Sequence, residues 1–404
     1  MTSFRLRFHL VPEILTALSA LVVFVVASPR PMAAQSLTVL YSFTGGADGW
    51  APYSGLVRDS AGNLYGTTYE GGSSGACTFG CGTVFKIDTS GKETVLHSFT
   101  RGMDGANPVF GYLLRDNAGN LYGTTYYGGT AGNGAAFKIN PNGKVLSLPF
   151  RGGNNGGFPY AGLVRDSAGN FYGTTNLRGT GCAPYGCGTA YKISPTGKQT
   201  VLHSFAGGAS DGSFPWDQLV VDSTGNLFGT TELGGPSGFG TVFKLSPDGQ
   251  ETVYDVTSAD GVVPIAGLVA DGSGNLYGTT LLGGIGYGSI FKLDTSGHFT
   301  LLYSFCSHTN CSDGSEPWSG VALDAAGNIY GTTSAGGLTL SGTIYKLDTS
   351  GRLTTLYNFC SLPSCADGGV PYAGLILDGN GNLYGTASIG GTTNSGTVFK
   401  LSPQ

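Results

Sequence analysis

The sequence predicts an all-β fold: a seven-bladed β-propeller with four antiparallel strands per blade, closed by its own N-terminal strand. Three observations predict it. The motif Gly-Asn-Leu-Tyr-Gly-Thr-Thr begins at Gly62 and recurs, with small changes, at Gly119, Gly169, Gly225, Gly274, Gly327 and Gly381. Successive copies lie 57, 50, 56, 49, 53 and 54 residues apart, the period of four-stranded blades. The last copy stops one strand short, and a strand of the missing type stands near the start of the chain.

The first repeat contains all four strands. Ser54 to Asp59 forms a short innermost strand ending in the turn Asp59-Ser-Ala-Gly62. Asn63 to about Glu70 is the second strand and residues 82–88 (GTVFKID) the third. The turn Thr89-Ser90-Gly91 leads into the fourth, Glu93 to Phe99. Both turns put glycine where the backbone must take positive φ, which a side chain disfavours. Tyr65, Phe85 and Phe99 are expected to pack between blades, with Gly66 leaving room for a facing ring. The missing fourth strand of the last repeat is Leu37 to Phe43, which copies the Leu-Tyr-Ser-Phe pattern of residues 302–305. Placing it beside the strand that ends near Gln404 gives every blade four strands and leaves no open edge.

Composition agrees. The 404 residues exceed the usual size of one core, but 71 glycines, 11% aromatic and only 11% charged residues suit many short strands joined by tight turns. A net charge of -5 provides no basic footprint for nucleic acid. Residues 1–34 differ from the rest. Arg5, Arg7 and His9 precede an apolar run from Ile14 to Ala27, then Pro29, Pro31, Ala33 and Ala34. This is the layout of a signal peptide cleaved near Ala34, and the run is shorter than the roughly 20 residues of a spanning helix. The alternative is an uncleaved anchor. The expectation is a propeller over residues 35–404, without a membrane span, secreted or held in the periplasm or at the cell surface.

The Gly-Asn-Leu-Tyr-Gly-Thr-Thr core, the following Gly-Thr-Val-Phe-Lys and the Leu-Tyr-Ser-Phe strand resemble the GloVer tandem repeat of exported bacterial proteins of the choice-of-anchor type. The resemblance covers the whole mature chain and implies a surface or secreted location, with no activity to transfer. No anchoring segment follows Gln404, which departs from that type. More distantly, Asp-Ser-Ala-Gly-Asn-Leu-Tyr is similar to repeats of NHL-type and streptogramin-lyase propellers.

Strand direction alternates, so short turns share one face and the long loops after strands two and four share the other. All eight cysteines fall in those loops: Cys77 with Cys81, Cys182 with Cys187, Cys306 with Cys311 and Cys360 with Cys365. Four close pairs in an exported chain predict four local disulfides. A zinc reading is weaker, because only His308 lies near a pair. No metal or other cofactor is expected.

The loop after strand four carries Asp-Gly-x-x-Pro at Asp48, Asp104, Asp211, Asp260, Asp313 and Asp367, with Asn155 in blade 3. After the proline come Tyr53, Val109, Tyr160, Trp216, Ile265, Trp318 and Tyr372. These aromatics and acids either ring the mouth of the central channel or serve as turn and packing residues, and repetition favours the latter. Trp50, Phe110, Phe158, Tyr185 and Glu316 share that side and break the repeat, which makes them better binding candidates.

No catalytic constellation is legible: Gly-x-Ser-x-Gly, His-Glu-x-x-His and phosphate-loop motifs are all missing. His97 and His203 stand where Tyr41 and Tyr303 stand elsewhere and read as packing substitutes. The aspartates that open each turn (Asp59, Asp116, Asp166, Asp222, Asp271, Asp324, Asp378) read as hairpin residues rather than calcium ligands. Arg58, Arg115 and Arg165 precede three of them and read as solvated Arg–Asp pairs. The expected function is a monomeric binding module for a carbohydrate or a surface protein on the disulfide-bearing face. The alternatives are a propeller lyase or lactone hydrolase with its site at the channel mouth, and a purely structural surface protein.

Overall fold

In the computed structural model, which describes residues 35–403, every glycine-bearing turn reverses the chain where the repeat requires. In blade 1, Gly62 (φ 94°) and Gly91 (φ 84°) close the two hairpins of the strands Val57–Arg58, Leu64–Thr68, Thr83–Ile87 and Glu93–Ser98. Seven such sheets follow one another, and a further segment, Gly212–Pro215, joins the fourth. The last sheet is completed by Leu37–Ser42, which pairs antiparallel with Thr397–Leu401. That pairing closes the ring as the sequence predicts. The signal-peptide reading of residues 1–34 lies outside the described residues. Among the described residues no helix is long and apolar enough to cross a membrane.

The core is a set of seven apolar clusters, one at each junction between neighbouring blades. At six junctions a buried ring ending one outer strand meets, edge to face, a buried ring on the third strand of the next blade. Phe43–Phe85, Phe99–Phe137, Phe150–Tyr191, Phe205–Phe243, Phe305–Tyr345 and Phe359–Phe399 have centroids 5.0 to 5.2 Å apart. Such pairs contribute about 0.5–1.5 kcal/mol each beyond the area they bury. The first of them joins blade 7 to blade 1. Gly66 faces Phe85 of its own blade, where a Cβ would press on the ring, as expected. The first threonine of Gly-Thr-Thr adds a polar stitch: the hydroxyls of Thr124, Thr230, Thr332 and Thr386 donate to carbonyls on the innermost segment of the next blade.

The innermost strands are shorter than expected. Blade 1 keeps only Val57–Arg58, not Ser54–Asp59. The residue before each proline adopts positive φ in every blade: Ala51, Asn107, Phe158, Phe214, Val263, Glu316 and Val370. A proline without an N–H, next to a left-handed residue, interrupts the ladder. In six blades the chain instead makes a single bridge just before the break, such as Trp50 with Glu70 or Ser315 with Ala335, and in blade 4 it pairs over Gly212–Pro215.

Candidate functional site

In blades 1, 3, 4, 6 and 7 that interruption delivers the aromatic residue after the proline to the loop-face end of the channel. Phe110 is the hub. Its ring lies 5.8 Å from Tyr53, 6.1 Å from Tyr160, 6.0 Å from Trp216, 6.2 Å from Trp318 and 6.2 Å from Tyr372. Those five rings come from five different blades, so Phe110 stands near the axis. They also touch each other: Tyr160 stacks on Trp216 at 4.2 Å, and Trp318 meets Tyr372 at 5.4 Å. All six are half-buried, forming a floor across the mouth. The packing role read for the repeated aromatics is therefore corrected: they meet across the axis instead of between blades.

Phe110 reaches the axis through one extra residue. Seven positions separate the proline from the turn aspartate in six blades, as in Pro52 to Asp59, but Pro108 to Asp116 spans eight. The same insertion sends Tyr112 across the channel, its ring against Gly55 of blade 1 and its hydroxyl against Gly374 of blade 7; a Cβ on either glycine would collide with it. Opposite lies Asp217, 8% exposed, whose carboxylate accepts N–H bonds from Gln218 and Gly267 at 2.6 Å each. Burial pushes its carboxyl up to about 6 despite those two bonds. Tyr112 and Asp217 line a cavity of about 240 Å³ beneath the floor.

The floor has an uneven wall. The residue that follows Thr-Thr at the exit of strand two is Tyr69, Tyr126, Asn176 and Glu232 in blades 1 to 4, and Leu281 in blade 5. Tyr69 lies 5.4 Å from Tyr53, Tyr126 lies 4.5 Å from Tyr160, and Trp216 Nε1–H donates to Glu232 at 2.6 Å. Burial raises the carboxyl of Glu70 and pushes the Tyr69 hydroxyl up to about 12, so both groups are biased toward their neutral forms. Sequence reasoning missed this wall because its position is constant while its residue type changes.

The remaining expected residues divide. Phe158 packs with Tyr126 and under Arg178, beside the floor. Phe158 and Glu316 do not break the repeat: both occupy the pre-proline position of positive φ that every blade shares. Trp50 lies against Phe79 of the Cys77–Cys81 loop at 5.7 Å, and Tyr185 stands 69% exposed on the Cys182–Cys187 loop. The other two disulfides, Cys306–Cys311 and Cys360–Cys365, also form as expected. Cys81 and Cys187 are fully buried in interblade clusters.

The Asp-Gly acids do not reach the mouth. Asp48 accepts from Tyr41 and from Thr44, Asp104 pairs with His97 at 3.0 Å, and Asp367 accepts from Tyr357. They tie outer strands to loops, which agrees with the turn reading. The opening aspartates behave as hairpin residues throughout. Asp324, for example, accepts from Ala326 and Asn328 backbone N–H, Asn328 Nδ2 and Tyr330 Oη. Burial opposes ionisation there, but the bonds from Asn328 and Tyr330 outweigh it and hold the carboxyl low. The arginines differ from expectation. Arg115 reaches Asp59 of the neighbouring blade at 4.0 Å and lies over Tyr65, while Arg58 and Arg165 lie over Tyr384 and Phe171. A planar guanidinium loses little water on a ring face, so stacking competes with ion pairing.

Chemically, the mouth offers flat apolar faces beside fixed acceptors and donors. A model of the Gloeobacter/Verrucomicrobia repeat matches residues 28–220 and 252–404 of the chain. No curated protein matches it. Among solved structures, virginiamycin B lyase from Staphylococcus aureus aligns with 16% identity over 91% of this chain and 99% of its own, with a TM-score of 0.60. An extracellular domain from B. thetaiotaomicron, described as part of a one component system, aligns with 14% identity and a TM-score of 0.55, over 92% of this chain and 42% of its own. At these identities the likeness is one of fold.

Proposed function

We propose that this chain, which belongs to the Gloeobacter/Verrucomicrobia repeat family, is an exported binding module that takes a carbohydrate on the aromatic mouth of its loop face. The observation that carries the reading is the hub of Phe110 with five rings from five blades, half-exposed and bordered by Tyr69, Asn176 and Glu232. A sugar ring has one apolar face that stacks on an aromatic and a rim of hydroxyls that need acceptors and donors. Flat rings next to fixed polar groups supply both. Four disulfides support an oxidising compartment outside the cytoplasm. The enzymatic alternative has less behind it: Glu232 is already engaged by Trp216, and His97 and His203 are engaged by loop aspartates away from the mouth.

The test is a glycan array probed with the wild-type chain and with Trp216→Ala, followed by calorimetry on the hits. The reading expects a defined set of bound glycans, each weakened by about 30-fold or more in the variant, as for a central aromatic contact. No bound glycan, or affinity unchanged in Trp216→Ala, would sink it.

A further inference from the structure

One cluster of ligating side chains lies away from the mouth. His203 is next to last on the outer strand of blade 3, Gln199–Ser204, Asp211 sits on the loop that follows, and Glu251 begins the outer strand of blade 4. His203 Nε2 is 3.1 and 3.3 Å from the two oxygens of Asp211 and 3.5 Å from Glu251 Oε2. The ligating atoms all lie within 4.8 Å of one another. A cation bonded to imidazole nitrogen and carboxylate oxygen at tetrahedral zinc distances holds its ligands about 3.4 Å apart. The two edges that run from His203 Nε2 bracket that distance.

Three further features separate this cluster from an ordinary ion pair. Glu251 Oε1 is buried without a hydrogen-bond partner, a costly state for a carboxylate oxygen. Asp211 is held in place by N–H bonds from Ala206 and Gly212 at 2.7 and 2.6 Å, the outer support that orients a ligand. The combination also occurs at one junction only among the described residues. Where blade 7 meets blade 1, Asp48 and Glu93 supply both acids, but the third group is the phenol of Tyr41. Where blade 1 meets blade 2, His97 and Asp104 are present, but Val145 takes the register position of Glu251.

We infer that His203, Asp211 and Glu251 form a binding site for a divalent first-row metal cation such as Zn²⁺ or Mn²⁺, clipping blade 3 to blade 4. Nitrogen and oxygen donors of this mix suit those ions better than Ca²⁺, which takes oxygen ligands alone. The fourth position is left to water. The site lies away from the sugar floor, so it stands or fails independently of the proposed function.

The experiment uses the secreted chain without a polyhistidine tag, stripped with EDTA, dialysed and titrated with ZnCl₂ and separately with MnCl₂ by calorimetry. One ion per chain and a raised thermal midpoint are expected for at least one of the two metals. His203→Tyr gives blade 3 the residue that blades 5, 6 and 7 carry there (Tyr303, Tyr357, Tyr41), so the fold tolerates it. Glu251→Leu likewise copies Leu353 and Leu37. Each should weaken binding by more than about 100-fold, beyond the effect of losing an outer-shell partner. His97→Tyr should change nothing. Failure of both metals to bind the wild-type chain, or undiminished binding in His203→Tyr, would overturn the inference and leave a bare ion triad.

Discussion

On the turn face, each opening aspartate holds nearly the same set of partners in blade after blade: the backbone N–H and side-chain amide of the asparagine four residues on and, except at Asp222, a tyrosine hydroxyl. On the loop face the position after the proline carries Tyr53, Val109, Tyr160, Trp216, Ile265, Trp318 and Tyr372, with Phe110 one residue on in blade 2 and a wall that changes from tyrosine to glutamate to leucine around the ring. The same backbone unit builds both faces. The difference teaches that here sameness marks what holds the ring together, and variation marks what the ring presents.

The prediction of largest effect concerns Asp217, which sits between the two faces. Its carboxyl, pushed up to about 6 from 3.8, binds more protons folded than unfolded. Its contribution to stability is present below about pH 4 and falls away by about pH 6, by about 3 kcal/mol, then stays flat. Denaturant unfolding of wild type and Asp217→Ser, the residue blade 1 uses as Ser54, should show the two stability curves separating across that window. Parallel curves would mean that the Asp217 carboxyl titrates alike in the folded and unfolded chain. Next comes the loop face, where Trp216→Ala should cost about 2 kcal/mol of ligand binding, with a much smaller loss of stability in urea. The turn face is expected to do the reverse: Asp324→Ala leaves four donors without their acceptor and should cost about 2 kcal/mol of folding stability. Smallest is the loss of Cys306–Cys311 in a paired Cys→Ser variant, below about 2 kcal/mol because the closed loop is short.

Most of the fold was legible because period, turn glycines and the displaced strand Leu37–Ser42 all point to one ring. The disulfides and the hairpin role of Asp59 and its equivalents were legible for the same reason, since each rests on local spacing. The floor was only half legible. Tyr53 and Trp318 could be placed on the right face, but whether their rings meet across the axis or pack between blades depends on the break before each proline. That break hides in residues as different as Ala51, Phe158 and Glu316. A signal for Phe110 was present in the one extra residue between Pro108 and Asp116, and for the channel waist in Tyr112 and Gln218, which replace the glycine of the other five blades. His203 shows the opposite limit. Substituting for tyrosine does describe its packing, but its meeting with Glu251 of the next blade requires the ring geometry.

The most direct test of the difference between the faces is a paired measurement on Trp216→Ala and Asp324→Ala: glycan affinity by calorimetry and thermal midpoint by scanning calorimetry, on the same preparations. The account predicts that Trp216→Ala loses at least about 30-fold in affinity while its midpoint stays within about 3 °C of wild type. It predicts that Asp324→Ala drops in midpoint and binds the same glycan with unchanged affinity. Affinity and midpoint falling together in both variants would contradict it.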